Sequence, residues 1–349
     1  MKCYHNLFAG MARNESLFEA WDGFRKGKGG RKDVQEFEQN VEQHIFALGR
    51  ELRAGSYRHG TYHPFTICDP KQRLIQKATV RDRVIHHAVF TALNPVFEPT
   101  FFAHSYSCRT GKGTHRAMRS LHGWLRAVSH NDHRTCFVLQ CDIHKFFASV
   151  SHALLLDILG RRIKDSKMLR ILQEIIGSVQ SGHLTPTGPV GLPIGNLTSQ
   201  LFANVYLNEL DMFLKHELKV QHYVRYTDDF AIVADNREDL ERLVGPIRAF
   251  LQRRLHLDLH PRKVTIRTFR QGIDFLGYVL LPHHRVLRTR TKRRMYRKMR
   301  ERIIAFKAGS IPVESVEQSL QSYLGVLSHA NSYHLSGELK NRCWFWLSE

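Results

Sequence analysis

Two adjacent carboxylates, Asp228 and Asp229, stand between two apolar runs, and few folds tolerate that arrangement. Residues 222–226 and 230–234 are rich in the aromatic and β-branched types that suit a half-buried strand, and Thr227, Asp228 and Asp229 suit a tight turn between them. The pattern predicts a hairpin with both acids at its tip. Burying like charges side by side is costly unless cations or hydrogen-bond donors compensate them. Hard oxygen ligands on a rigid turn suit Mg²⁺. A bare Asp-Asp pair is commonly a solvated turn. The long apolar flanks on both sides argue against that reading here.

The charge balance points the same way. The 349 residues carry 52 Lys and Arg against 32 Asp and Glu, a formal charge of +20. An excess of that size indicates a polyanionic partner, nucleic acid above all, and its spread along the chain favours a basic groove over a basic tail. No run of 18 apolar residues exists, so no membrane span is predicted. The N-terminus lacks an apolar signal core, and the six cysteines lie scattered at 3, 68, 108, 136, 141 and 343. These features predict reduced, mostly buried thiols in a cytoplasmic protein. Neither a His-Glu-x-x-His pattern nor a Cys/His zinc spacing occurs. His86-His87 and His283-His284 are read as surface or RNA-facing residues.

Taken in order, residues 34–48 predict one amphipathic helix capped by Asp33, preceded by a basic loop at 25–32 that is either a solvated linker or a phosphate contact. Residues 61–70 alternate like a strand, and a helix over 80–93 is expected to end at Asn94-Pro95. The Gly111-Lys112-Gly113 turn could present backbone amides to a phosphate, although its spacing is not that of a Walker loop. A strand from about 135 ends on Asp142, and Ser151 caps a helix to about 160. The glycine-rich turn at 188–196 opens a helix near Leu197 that runs to 211. Beyond the hairpin, a helix over 237–255 and strands over 257–268 and 272–281 are predicted. In the basic stretch 288–310, Met295, Met299, Ile303 and Phe306 mark one buried helical face. Two further helices finish the chain.

Asp142, Asp228 and Asp229, placed on adjacent strands, form a set able to bind two Mg²⁺ about 4 Å apart for in-line phosphoryl transfer. Phe147, five residues beyond Asp142, could exclude a 2′-hydroxyl by volume or simply pack in the core. With these motifs in order, the chain resembles a reverse transcriptase over roughly 60–345. The motifs that carry the resemblance are Lys71-x-Arg73-x-Ile75 with Asp82-Arg83-Val84, Ser105-Tyr106 with Arg109-x-Gly111-Lys112-Gly113-Thr114, Asp142-Ile143 to Phe147, Gly191-Leu192-Pro193, Tyr226-Thr227-Asp228-Asp229, Leu257-Asp258-Leu259-His260 to Lys263, and Phe275-Leu276-Gly277.

The resemblance implies an α+β right-hand polymerase fold. It divides into an N-terminal helical extension at 1–60, fingers at 61–134, a palm of antiparallel sheet and helices at 135–285, and a helical thumb at 286–349. It implies catalysis by Asp142, Asp228 and Asp229, with two Mg²⁺ held by these residues and the Ile143 carbonyl. The incoming nucleotide would meet Lys71, Arg73, Phe147, Ile194 and Gln200. Phe275, Leu276 and Gly277 would grip the primer, and Arg109, Lys112, Lys263, Arg290, Arg293 and Arg297 would contact nucleic acid.

The run from Gly191 to Asn208, with Ile194 and Gln200 where intron-type enzymes usually have Gln and Pro, is similar to reverse transcriptases of diversity-generating retroelements. Tyr323-Leu324-Gly325 and His329-Ala330-Asn331 are compatible with that group. This likeness implies error-prone, adenine-directed cDNA synthesis from a template RNA and dNTPs, with a small basic accessory protein as partner. Ile194 supplies bulk but no hydrogen-bond donor, which would weaken discrimination against mispairs. A chain ending after the thumb is expected to lack maturase, endonuclease and RNase H segments. The rival readings are another bacterial reverse transcriptase (retron, intron-derived or defence-associated) and a non-catalytic RNA-binding scaffold.

Overall fold

The computed structural model describes residues 2–68, 72–178, 184–185 and 188–349, with backbone alone at 184 and 185. Four helices open the chain: α1 Leu7–Met11, α2 Asn14–Arg25, α3 Lys32–Glu38 and α4 Val41–Ala54. An exposed antiparallel hairpin, β1 His63–Ile67 and β2 Arg73–Lys77, leads into α5 Val80–Phe97 and α6 Thr114–Val128. Strand β3 Phe137–Asp142 then enters the centre, followed by α7 Phe146–Ser149, α8 His152–Arg162, α9 Ser166–Gly177 and α10 Leu197–Met212. The predicted hairpin is present as β4 His222–Tyr226 and β5 Asp229–Ala234. Helix α11 Arg237–Leu255, β6 Thr265–Thr268 and the meander β7 Ile273–Phe275, β8 Tyr278–Leu280, β9 Arg285–Leu287 follow. The chain closes on α12 Thr289–Lys307, α13 Val313–Leu327 and α14 Tyr333–Ser348.

The central sheet has the order β4-β5-β3-β6, antiparallel throughout. Side chains alternate across a strand, and here both faces are covered. Leu139, Cys141, Tyr223, Phe230 and Ile232 join a core with α8, α10 and α11. Val138, Val224, Ala231 and Val233 join another with α6 and the terminal helices. Double burial explains why these strands read as continuous apolar runs. The outer edge of β4 is closed by residues 104–106: the Arg225 amide donates to the His104 carbonyl at 3.0 Å, and the Tyr106 amide to the Arg225 carbonyl at 3.0 Å.

Several local expectations are corrected. The stretch 34–48 is two helices broken at Gln39-Asn40, yet Val34, Phe37, Ile45 and Leu48 enter one core, which is why a single period ran through them. Asp33 does not cap: Arg31 holds that position, and the Asp33 carboxylate pairs with Lys77 and Arg83 instead. Helix α5 continues through Pro95 to Phe97, because buried Val96 and Phe97 outweigh the backbone bond that proline removes. Residues 257–264 meet the sheet only by an isolated bridge of Leu259 to Ile143, and 272–281 is a hairpin rather than one strand. Cys136, Cys141 and Cys343 are buried, whereas Cys3, Cys68 and Cys108 are exposed. His283 and His284 are exposed as expected, but His86 is buried, bonded to Thr198 Oγ1 at 2.6 Å and His59 at 3.1 Å. Burial drives its pKa down to about 3. Among the described residues, no helix is long and apolar enough to cross a membrane.

Candidate active site

The three predicted carboxylates come together where β3 ends and β5 begins. Asp142 and Asp229 are direct cross-strand partners, and Asp228 sits beside them in the turn. The turn is stitched to β3 by the Ile143 amide, which donates to the Asp228 carbonyl at 3.2 Å. The segment after α11 is stitched to the same strand end: the His144 amide donates to Asp258 O at 2.8 Å, and the His260 amide to Asp142 O at 2.8 Å. Buried Leu257 and Leu259 anchor that segment. Its consequence is to set Lys263 Nζ 2.6 Å from Asp142 Oδ2, so Lys263 meets one of the three carboxylates.

Asp228 and Asp229 are held above the usual carboxyl range. Asp229 is pushed up to about 7, first by loss of hydration in the cleft, then by its hydrogen bond with Asp142 and the nearby charge of Asp228. Its surface remains open to solvent, but surrounding protein removes much of its hydration. Burial raises Asp228 too, with Asp142's charge adding, while Lys263 and Arg73 pull it down. Arg73, exposed on β2, lies near enough for its charge to act on Asp228. Lys71 lies outside the described residues.

A cleft of about 370 Å³ adjoins the carboxylates, with Asp142, Asp229 and Lys263 on one side and Phe275, Leu276 and Gly277 on the other. Leu276 and Gly277 both have positive φ (51° and 91°), as a two-residue hairpin turn of the right twist requires. Gln140 Nε2 donates to the Asp274 carbonyl at 2.8 Å, tying this turn to β3, and Arg288 pairs with Asp274 behind it. Phe147 is half-buried beside Phe146, and its carbonyl accepts from the Leu192 amide at 2.6 Å. That bond brings Phe147 and the 191–196 turn together. The Ile194 carbonyl accepts from the Gln76 amide of β2 at 3.4 Å, and exposed Gln200 lines a smaller cavity of about 290 Å³ with Gln76, Gly195 and Asn196.

Other expected nucleic-acid contacts are placed differently. The Arg109 side chain is 6 % exposed, pairs with Glu98 and donates to the Phe102 and Ser105 carbonyls, so it holds its own loop. The amides of Lys112 and Gly113 are likewise taken by the Arg109 and Tyr106 carbonyls, and Lys112 Nζ donates to Ala103 O at 2.7 Å. Arg290, Arg293 and Arg297 are exposed on α12.

Sequence similarity decides the family. The profile of the reverse transcriptase (RNA-dependent DNA polymerase) family matches residues 68–280. The chain belongs to the reverse transcriptase family. That membership fixes its class of chemistry as RNA-directed DNA polymerisation. This reverse transcriptase is 27 % identical to Protein YkfC of Escherichia coli (strain K12) over 285 residues, 70 % of this chain and 71 % of that protein. It is 25 % identical over 295 residues to the group II intron-encoded protein LtrA of Lactococcus lactis subsp. cremoris, covering 64 % of this chain and 48 % of that one. It is thus related to group II intron proteins while spanning about half of LtrA. A telomerase from Candida albicans, solved with a fragment of telomeric RNA, superimposes with a TM-score of 0.50 at 12 % identity, over 67 % of this chain and 46 % of that chain. The fold is the expected right-hand polymerase fold.

The donor set fits hard divalent cations in its chemistry: three crowded carboxylates, of which Asp228 and Asp229 have raised pKa values and Asp142 is paired with an ammonium. As the side chains stand, no three His, Cys, Asp or Glu groups among the described residues form a closed ligand cage. Binding would require the carboxylates to turn and Lys263 to yield.

The sequence reading missed a fully buried pair behind the turn, Arg225 with Asp211. An arginine in the middle of an apolar strand was the available signal.

Proposed function

We propose that this reverse transcriptase extends a DNA primer along a template RNA, joining the primer 3′-oxygen to the α-phosphorus of a dNTP and releasing pyrophosphate. The observation that carries this reading is the convergence of Asp142, Asp228 and Asp229, within reach of the Arg73 charge and with the 275–277 turn alongside. Asp142 and Asp228 would hold divalent cations directly, and Asp229 and the Ile143 carbonyl more loosely. When bound, two Mg²⁺ supply Lewis acidity toward the 3′-hydroxyl and neutralise charge on the leaving pyrophosphate. Arg73, and Lys71 with it, takes the triphosphate as a charge-assisted clamp. Phe147 limits the volume beside the sugar, so a 2′-hydroxyl is rejected sterically. The turn formed by Phe275, Leu276 and Gly277 positions the primer terminus, and Arg290, Arg293 and Arg297 meet the duplex backbone by charge.

Within the family we assign the chain to mutagenic, adenine-directed cDNA synthesis of the diversity-generating type, aided by a basic accessory protein. Ile194 supports this reading: it is half-buried against β2 and offers no side-chain donor to the incoming nucleotide. Mg²⁺-dependent primer extension on RNA, with sequencing of the cDNA, tests it. Errors concentrated opposite adenine and reduced about tenfold by Ile194→Gln, an effect of roughly 1.4 kcal/mol, are expected. Accurate synthesis would return the chain to intron-, retron- or defence-type enzymes. Absence of synthesis with RNA and accessory protein supplied would favour the scaffold.

A further inference from the structure

The Arg225–Asp211 pair lies directly behind the catalytic turn. Arg225 and Asp211 are both 0 % exposed. Arg225 Nε donates to Asp211 Oδ1 at 2.7 Å and Nη2 to Oδ2 at 2.6 Å, a two-point fork. Tyr223, two residues earlier on the same face of β4, adds its hydroxyl to Asp211 Oδ1 at 2.8 Å. The remaining terminal nitrogen, Nη1, donates forward to the Thr227 carbonyl at 3.1 Å and sideways to Asn204 Oδ1 at 3.4 Å. Asn204 in turn donates to the Ser107 carbonyl at 2.9 Å, and Thr227 Oγ1 donates to Ser107 Oγ at 2.6 Å.

Two features give this network a purpose beyond stability. First, Thr227 has φ of 55°, a left-handed conformation that a β-branched residue rarely adopts. Such strain persists only where the surroundings enforce it. Its carbonyl and hydroxyl are both held, so the peptide leading into Asp228 has one allowed orientation. Secondly, a buried ion pair is a weak source of net stability, because desolvation offsets attraction. Its fixed geometry is the benefit that remains. Asp211 and Asn204 are seven residues apart on α10, two turns on one face. The N-terminus of that same helix follows Ile194 and carries Gln200.

We propose that Arg225 is a positioning residue for catalysis. With Asp211 and Asn204 as its base on α10, it fixes the Thr227 carbonyl and thereby the direction of the Asp228 carboxylate, referencing the metal-binding turn to the helix that also presents the nucleotide turn. This inference rests on the polymerase reading of the three carboxylates. Arg225 touches neither substrate nor cation and acts through Thr227.

The test uses the full chain in Mg²⁺-dependent primer extension, with Arg225→Lys, the double variant Arg225→Met with Asp211→Leu, and Asp228→Asn as control. Lysine keeps the charge opposite Asp211 but loses the fork and the bond to Thr227. The double variant removes both charges together, leaving no buried ion unpaired. For whichever variant melts within a few degrees of the parent, kcat should fall at least tenfold while KM for dNTP changes less than threefold. Mn²⁺ binding to the nucleotide-free protein, followed by electron paramagnetic resonance, should weaken several-fold. A folded variant of either kind with parental kcat and parental Mn²⁺ binding overturns the inference. If both variants melt far below the parent, the pair is a stability element and the inference also fails. An Asp228→Asn protein that still polymerises sinks the underlying reading instead, so the two failures are told apart.

Discussion

Two hairpins of the molecule are built on opposite terms. The β4–β5 hairpin is buried on both faces, its edge sealed by residues 104–106 and its turn clamped from behind. The β1–β2 hairpin is exposed along β1 and at the start of β2, with Phe65, Ile67 and Leu74 in solvent. In the proposed reaction, one carries the carboxylates that would have to hold position within a fraction of an ångström, and the other carries Arg73, the cation proposed to meet the incoming substrate. On that reading, burial coincides with the place where charge develops and exposure with the place where substrate enters.

The largest break in this comparison is expected at the turn. Asp228→Asn should reduce primer extension by about 10³-fold or more, measured in single-turnover assays. Because it removes one of three crowded acids, Tm should not fall. A lowered Tm would mean that the turn's charge supports the fold rather than opposing it. Next comes packing. Phe230→Ala, in the buried hairpin, should cost about 3–5 kcal/mol in denaturant unfolding, while Phe65→Ala in the exposed one should stay within about 0.5 kcal/mol. Equal costs would erase the contrast. Arg73→Ala should then raise KM for dNTP about 10–100-fold, the loss of charge-assisted contacts of roughly 1.5–3 kcal/mol, with Tm unchanged.

The smallest effect is in pH. Asp229 titrates near 7 in the folded chain, above an ordinary unfolded carboxyl, so the folded state binds the extra proton. Stability from this group is therefore present at low pH and lost as pH rises from about 4 through 7. His86, pushed down to about 3, works in the other direction: its contribution is present above about 6.5 and lost as pH falls. Thermal melts without divalent cation should show the Asp229 slope disappear in Asp229→Asn and diminish when Mg²⁺ is added. A slope that survives both changes would assign it elsewhere.

What could be read beforehand follows the same division. The β4–β5 hairpin was legible because its flanking strands are apolar apart from Arg225 and its paired acids sit at the single turn between them. Ser151 was legible as a cap because the signal is local; it accepts from the Leu154 amide as expected. Asp33 carried the same local signal but was claimed by Lys77 and Arg83, far away in sequence. Pro95 obeyed tertiary packing rather than propensity. The paired positive φ values at Leu276 and Gly277 were hidden, since leucine gives no sign of a turn. Arg225 was visible as an oddity, but its partner Asp211, on α10, could not be named without the fold. Arg109 shows the converse error: a basic residue in a basic loop is not thereby a ligand for phosphate.

The central sheet has one more consequence. Because consecutive residues of β3, β4 and β5 feed separate cores on its two sides, it serves as a partition. Met295, Met299 and Ile303 belong to the core that holds α6 and the terminal helices, and the buried face of α10 belongs to the other.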